Sequence, residues 1–324
     1  MTKKEKKKVF LTRTFPDFAV KELQKHYDIE IHTGPFPIPK KKLLVKIKNK
    51  DGLICYPYDN IDKNIIRAGI KLKTISTFSV GYDHIDIKFA KKRKITIGYT
   101  PNILTIATAD LTITLMLDLL RRVTEGDRLV RTGKWNNVFG AVTFVGEEVA
   151  GKTLGILGFG RIGLAVAKRA QAFGIKVIYH NRTRLTPKKE KSLRVRYVTQ
   201  NELFSKSDIV SLHVPYSKQT HELVKLPLLK KMKKHAYLIN TSRGKIIKEQ
   251  DLVIALKRKI IAGAALDVFF HEPIIKKHPL TKMQNVVLTP HLGSSSIITR
   301  TKMVELTVEN LKLGLAGKKL IYSV

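Results

Sequence analysis

Along the first hundred residues, short runs of β-branched and aliphatic side chains alternate with longer polar stretches in which apolar residues recur every three or four positions. The runs are Val9-Phe10-Leu11-Thr12, Glu30-Ile31-His32, Gly52-Leu53-Ile54-Cys55, Lys73-Thr74-Ile75-Ser76 and Ile95-Thr96-Ile97, with amphipathic segments such as 18–26 and 85–92 between them. This βα alternation predicts an α/β fold, a largely parallel sheet covered by helices on both faces. Pro101-Asn102 then opens an apolar, helix-forming segment that ends on basic residues at 121 and 122 and is long enough to join two domains. The stretch 123–149, with Gly133-Lys134-Trp135 inside it, has no clear period and predicts a long loop or arm, which usually carries function or a contact surface. From Gly151 the alternation resumes more cleanly, with predicted strands at 153–157, 176–180, 196–198, 208–214, 236–240, 261–266 and 285–289. A last helical run, 294–315, is free to pack back on the first half. No repeat of solenoid spacing interrupts the pattern, and low complexity is confined to the basic opening residues.

The sharpest local motif is Gly158-Phe159-Gly160-Arg161-Ile162-Gly163, set between the predicted strand 153–157 and a helix over 161–173. That context turns a weak motif into an expected dinucleotide site, against the plainer reading of an ordinary glycine-rich turn. Gly158 permits the tight turn, Gly160 lets the backbone approach a pyrophosphate, Gly163 lets helix pack on strand, and the helix N-terminus faces the phosphates. At the end of the next strand, His180-Asn181-Arg182-Thr183-Arg184 has no carboxylate to bind ribose hydroxyls. Arg182 and Arg184 suit a 2′-phosphate, so NADP(H) is expected ahead of NAD(H), although two arginines in so basic a chain also read as solvated. Three further polar residues follow predicted strands, where open α/β sheets bind ligands: Arg243, Glu272 and His291. Singly, a histidine there is more often structural. Together the three supply what reduction of a 2-keto acid needs: a cation for the carboxylate, a proton donor for the developing alkoxide, and a carboxylate that favours the donor's charged form.

Composition adds limits. A chain of 324 residues exceeds what one core supports, so two domains are expected. The only cysteine, Cys55, excludes an intrachain disulfide and suggests a reducing, cytoplasmic setting. The opening residues lack a signal-peptide core, and no apolar run approaches the roughly 18 residues a membrane span needs, so no membrane role is expected. No metal site is expected. The net charge of +35 has two readings. Lysine scattered over all solvent faces is the simpler one, and salt-sensitive, nonspecific contact with nucleic acid is the other.

The stretches Ser79-Val80-Gly81-Tyr82-Asp83-His84-Ile85-Asp86, Tyr99-Thr100-Pro101-Asn102, the glycine motif, Ile239-Asn240-Thr241-Ser242-Arg243-Gly244, Ala264-Ala265-Leu266-Asp267-Val268, Glu272-Pro273 and Pro290-His291-Leu292-Gly293 occur in this order. With them, the chain from about Gly52 to Leu315 resembles the D-isomer-specific 2-hydroxyacid dehydrogenases, and most nearly the glyoxylate/hydroxypyruvate reductases. The resemblance implies two Rossmann-like, doubly wound domains. The coenzyme domain, 101–290, is inserted into a substrate domain made of 1–100 and 291–324. It implies His291 as proton donor paired with Glu272, and Arg243 holding the substrate carbonyl and carboxylate. Backbone N–H groups of Val80 and Gly81 would bind that carboxylate. Asp267 would lie near the nicotinamide carboxamide. Val214, Pro215 and Thr241 would line the dinucleotide cleft with Arg161, Ile162, Asn181, Arg182 and Thr183.

It further implies a homodimer joined through the 123–149 arm, with Trp135 either reaching the partner's active site or simply packing. Asp110 stands where relatives commonly have Glu, and Ile106 replaces a frequent polar residue, which leaves the hinge in question and the reaction intact. The chain stops soon after its last helix, without the regulatory extension of many phosphoglycerate dehydrogenases of this family. A different function on the same fold is a dinucleotide-sensing binding protein like certain transcriptional corepressors, with the positive charge serving nucleic acid.

Overall fold

The computed structural model describes residues 5–136 and 139–324. Residues 1–4 of the basic tail, and Asn137 and Val138 of the predicted arm, lie outside the described residues. The strands 52–55, 74–77, 209–212 and 263–266 are buried along their whole length, which is what a parallel sheet with helices on both faces requires. Two such sheets divide the chain into two units, Met1–Leu104 with Ser295–Val324, and Thr105–Ser294.

In the first unit, β1 (Lys8–Leu11), β2 (Asp28–Ile31), β3 (Gly52–Cys55), β4 (Thr74–Thr77) and β5 (Thr96–Gly98) lie in the order β2-β1-β3-β4-β5, all parallel. Phe10, Leu53, Cys55, Ile75 and Ile97 form a core with Leu43, Ile65, Ile66 and Ala90, from or beside α2 (Lys40–Lys46), α3 (Lys63–Ala68) and α4 (Ile87–Lys92). The opposite face takes α1 (Asp17–His26) and the last helix of the chain, α12 (Ile297–Leu315), whose Thr307 carbonyl accepts the buried Ser76 hydroxyl at 2.8 Å.

In the second unit, β6 (Thr153–Leu157), β7 (Lys176–His180), β8 (Val195–Tyr197), β9 (Ile209–Leu212), β10 (Tyr237–Asn240), β11 (Gly263–Leu266) and β12 (Val286–Leu288) run parallel in the order β12-β11-β10-β9-β6-β7-β8. Alternate side chains serve opposite faces. Ile156 and Ile239 pack with Met116 and Leu120 of α5 (Thr105–Arg121) and Val166 and Ala170 of α7 (Arg161–Ala172). Leu157, Leu212 and Leu238 pack with Leu203 and Phe204 of α9 (Gln200–Lys206) and Leu252 and Leu256 of α11 (Glu249–Lys257). The unit is doubly wound, as expected.

The unit boundaries fall a few residues beyond the expected joins at 100 and 290. Asn102 donates to the Tyr322 hydroxyl at 3.3 Å within the first unit, and the residues just after Pro290 are tied to the second by Asp267, described below. Part of the predicted arm is helical: α6 spans Val123–Arg131. Arg122, in the left-handed region at φ 58°, breaks it from α5, and Thr124 starts it by donating its backbone N–H to Asp118 at 2.6 Å. Among the described residues no helix is long and apolar enough to cross a membrane.

Candidate active site

Strand order in the second unit reverses between β9 and β6, where an open α/β sheet leaves a crevice outside its carboxyl ends. The glycine motif follows β6 at that point. Gly158 adopts φ 97°, and a Cβ there would lie 2.6 Å from the His213 carbonyl carbon and the Val214 nitrogen, so this turn rests on the loop after β9. A Cβ on Gly163 would meet the Gly158 carbonyl oxygen at 2.4 Å, which seats α7 against its strand. Gly160 differs, since nothing lies within 4 Å of its Cβ position. An open backbone at the start of a twelve-residue helix, beside first-turn N–H groups without helical partners, fits a pyrophosphate.

The flanking residues divide by what already holds them. Asn181 Oδ1 accepts the Phe159 N–H at 2.6 Å and so latches the glycine turn to the end of β7. Arg184, which the sequence offered to a 2′-phosphate, instead grips Glu190 with two nitrogens at 2.8 and 2.7 Å. That guanidinium holds the Glu190 carboxyl down to about 2, so Arg184 is committed. Arg182 and Thr183 are exposed, and among the described residues Arg182 makes no ion pair. Val214 and Pro215 adjoin Gly158, and the Thr241 hydroxyl is 2.8 Å from that of Thr112 on α5. His213, overlooked in the sequence, is half-buried beside the same turn, with Nε2 2.8 Å from the Ser211 hydroxyl, and desolvation lowers its pKa to about 4.

Asp267, leaving β11, organises the other half of the edge. Its Oδ1 accepts the Thr289 hydroxyl and the Leu292 N–H, each at 2.6 Å, and Oδ2 accepts the Gly293 N–H at 2.8 Å. Burial nevertheless raises the pKa of this carboxyl. The loop Thr289–Gly293 is thereby wrapped around one side chain, and His291 at its apex takes φ 55°. Its N–H is held by the Asp267 carbonyl at 3.0 Å. In this pose His291 Nδ1 lies 2.7 Å from Glu272 Oε2, and Glu272 Oε1 accepts the Phe269 N–H at 2.9 Å. A carboxylate only accepts, so Nδ1 carries the hydrogen and Nε2 is the nitrogen turned away from Glu272.

Arg243 is set by Asn240, buried at the end of β10. Its Oδ1 accepts the Ser242 N–H at 3.0 Å and its Nδ2 donates to the Arg243 carbonyl at 2.9 Å. Gly244 follows because the chain must touch the loop after β11: a Cβ there would sit 1.9 Å from the Phe269 carbonyl carbon and oxygen. The loops bearing Arg243, Glu272 and His291 are thus tied to one another. Asn240, Gly244 and Thr289 carry this arrangement yet had no assigned role from sequence. Their signal was a polar residue or glycine directly flanking a candidate side chain. Val80 and Gly81 belong to the first unit, in the loop after β4, where the Gly81 N–H donates to the Ser79 hydroxyl at 3.1 Å.

Residues 113–293 match the family model described as D-isomer specific 2-hydroxyacid dehydrogenase, NAD binding domain. A glyoxylate reductase of Thermofilum pendens is 44% identical over 312 residues, covering 96% of this chain and 92% of the relative. A solved protein of Thermus thermophilus superposes with a TM-score of 0.90 at 41% identity, covering 98% of this chain and 99% of the other. The structure of an NADPH-dependent glyoxylate/hydroxypyruvate reductase of Sinorhizobium meliloti, in complex with NADP and malonate, has a TM-score of 0.86 at 28% identity, covering 99% and 97%. Motif, crevice and likeness over almost the whole length agree, and the chain belongs to the D-isomer-specific 2-hydroxyacid dehydrogenase family.

Proposed function

We propose that this protein reduces a small 2-keto acid, glyoxylate or hydroxypyruvate, to the corresponding 2-hydroxy acid, of D configuration where a stereocentre forms, using NADPH ahead of NADH. The observation that carries the reading is the 2.7 Å His291–Glu272 pair on the ligand edge of a dinucleotide-binding sheet. Gly158, Gly160, Arg161, Ile162 and Gly163 would hold the pyrophosphate, Arg182 and Thr183 the 2′-phosphate end, and Val214, Pro215 and Thr241 the crevice walls. Asp267 belongs to the nicotinamide half, since β11 lies on the other side of the reversal from β7. When bound, the nicotinamide supplies a hydride to the carbonyl carbon.

Arg243 draws the carboxylate and polarises the carbonyl. In the first unit, Val80 and Gly81 are assigned to carboxylate binding through backbone N–H groups, for which Gly81 gives up its bond to the Ser79 hydroxyl. His291 delivers a proton to the carbonyl oxygen as charge develops there, and Glu272 favours the charged imidazole while fixing its orientation. Hydride and proton together make the alcohol. Preference for NADPH is supported by the lack of any acid from His180 to Arg184 and by the uncommitted Arg182. The relative from Sinorhizobium meliloti, described as NADPH-dependent, points the same way.

A homodimer is part of this reading. Val123, Val130, Trp135, Phe139, Val142 and Val145 are all exposed in one stretch of the chain, more apolar surface than an isolated segment ordinarily presents to water. We also place the protein in the reducing cytoplasm, where the free, buried Cys55 thiol is at home, with nucleic-acid contact only nonspecific. The corepressor-like alternative draws no support from the relatives, which are described as glyoxylate reductases.

Initial rates of NADPH and NADH oxidation with glyoxylate and hydroxypyruvate test the proposal. Turnover with either keto acid, faster with NADPH, is expected. Faster turnover with NADH would overturn the cofactor preference, and no turnover across a panel of 2-keto acids would overturn the reaction.

A further inference from the structure

A second histidine–glutamate pair lies behind the loop that carries Glu272. Glu249, the first residue of α11, has Oε1 3.0 Å from His278 Nε2, and its Oε2 accepts the Phe270 N–H at 3.2 Å. Both side chains are largely shielded from solvent. His278 also caps the 3-10 turn Pro279–Lys282, with Nδ1 accepting the Leu280 N–H at 3.3 Å. A ring that accepts on Nδ1 is neutral and carries its hydrogen on Nε2, so His278 donates to Glu249. The two ring nitrogens have opposite duties, and one tautomer satisfies both.

The peptide between Phe269 and Phe270 is where this pair meets the reaction. The Phe269 N–H goes to Glu272, the Phe270 N–H goes to Glu249, and Gly244 presses on the Phe269 carbonyl. One short piece of backbone therefore sets both the height of Glu272 and the seat of the Arg243-Gly244 turn. Hydrogen bonds to a carboxylate are stronger than neutral ones, and shielding from water strengthens them further. Glu249 holds the peptide, and His278 holds Glu249.

The geometry points to Glu249 and His278 as positioning residues for the reduction. They touch neither substrate nor reacting atoms. They hold the Phe269–Phe270 backbone so that Glu272 meets His291 and Arg243 is presented beside them. This inference rests on the proposed reaction, so its test includes a readout independent of turnover.

His278→Asn separates positioning from capping. An asparagine caps the Leu280 N–H well, but its shorter amide does not reach Glu249. Amide exchange at Phe269 and Phe270 should accelerate roughly 10-fold while the melting temperature stays close to that of the wild type. The kcat should fall by about 10-fold with the KM for NADPH unchanged. In a Glu272→Gln background the same substitution should lower kcat less than it does alone, because only the part of its effect that passes through Arg243 remains. Glu249→Gln should reproduce the single-variant result, since its single amide oxygen can accept from His278 Nε2 or from the Phe270 N–H, and the amide NH2 then faces the other donor. Unchanged exchange, unchanged kcat, or an equal loss in both backgrounds would each overturn the inference. Should the wild type reduce no keto acid, the proposed reaction fails, and with it the catalytic part of this inference. The exchange rates then decide by themselves whether the pair holds the loop.

Discussion

His291 occupies a left-handed backbone conformation that costs a histidine about 1–3 kcal/mol, and Asp267 holds the loop that imposes it. Such strain is retained where a side chain must be aimed. His291→Ala should lower kcat by about 10²–10⁴-fold, the usual worth of a general acid, and leave NADPH affinity within about twofold by fluorescence titration. Normal turnover would remove the proton donor from the proposal. A second residue-scale outcome concerns His213, whose pKa is lowered to about 4 by burial. The folded state favours its neutral form, so its contribution to stability is present above the unfolded value of about 6.5 and is lost as pH falls toward 4. Denaturant melts should show a loss of about 2–3 kcal/mol between pH 7 and pH 4.5 that is absent from His213→Asn. Equal pH slopes in the two proteins would show that His213 is not charged on unfolding. At this scale the sequence disclosed the side chains proposed to act, because Arg243, Glu272 and His291 each follow a strand. It did not disclose what orients them. Asn240, Asp267 and Gly244 work through contacts between loops far apart in sequence, and Arg184 looked available because its partner Glu190 gave no local sign.

Among the elements, strands were the most legible, since short β-branched and apolar runs recur between helical stretches, as a buried parallel sheet requires. The helix after the glycine motif was equally plain. Short helices were not: α2 and α3 have seven and six residues, too few to show a period, and α3 is started by Asp62, whose Oδ1 accepts the Asn64 and Ile65 N–H groups. Helix α6 escaped because it buries none of its residues. Helix α9 displays its start openly, with Thr199 and Glu202 in a reciprocal capping box. Thr199→Ala should cost about 1 kcal/mol in chemical denaturation and leave the reduction rate unchanged, because α9 packs on the face of the sheet and not at its ligand edge. A loss of activity at full stability would mean that α9 contributes to the site.

For the whole molecule, the two-unit division was visible as two series of βα alternation, whereas the points where the chain crosses between them depend on bonds such as Asn102 to Tyr322 that no local pattern announces. The exposed apolar residues of 123–145 make a prediction at this scale. In sedimentation velocity the wild type should run as the proposed dimer and Val130→Asp as a monomer; a monomeric wild type would overturn the dimer, and a dimeric variant would move its contact away from this segment. The discontinuity of the first unit also has a temporal consequence. The last strand of its sheet ends at residue 98, but α12, which covers one face with α1 through Met303, Val304, Thr307 and Leu311, is made only after the whole second unit. During synthesis the second unit, continuous from Thr105 to Ser294, is made while the older half waits with one side of its sheet covered by α1 alone. Chains truncated after Ser294 and released should yield a protease-resistant second unit and a degradable first, so the half translated first is the half that depends longest on chaperones.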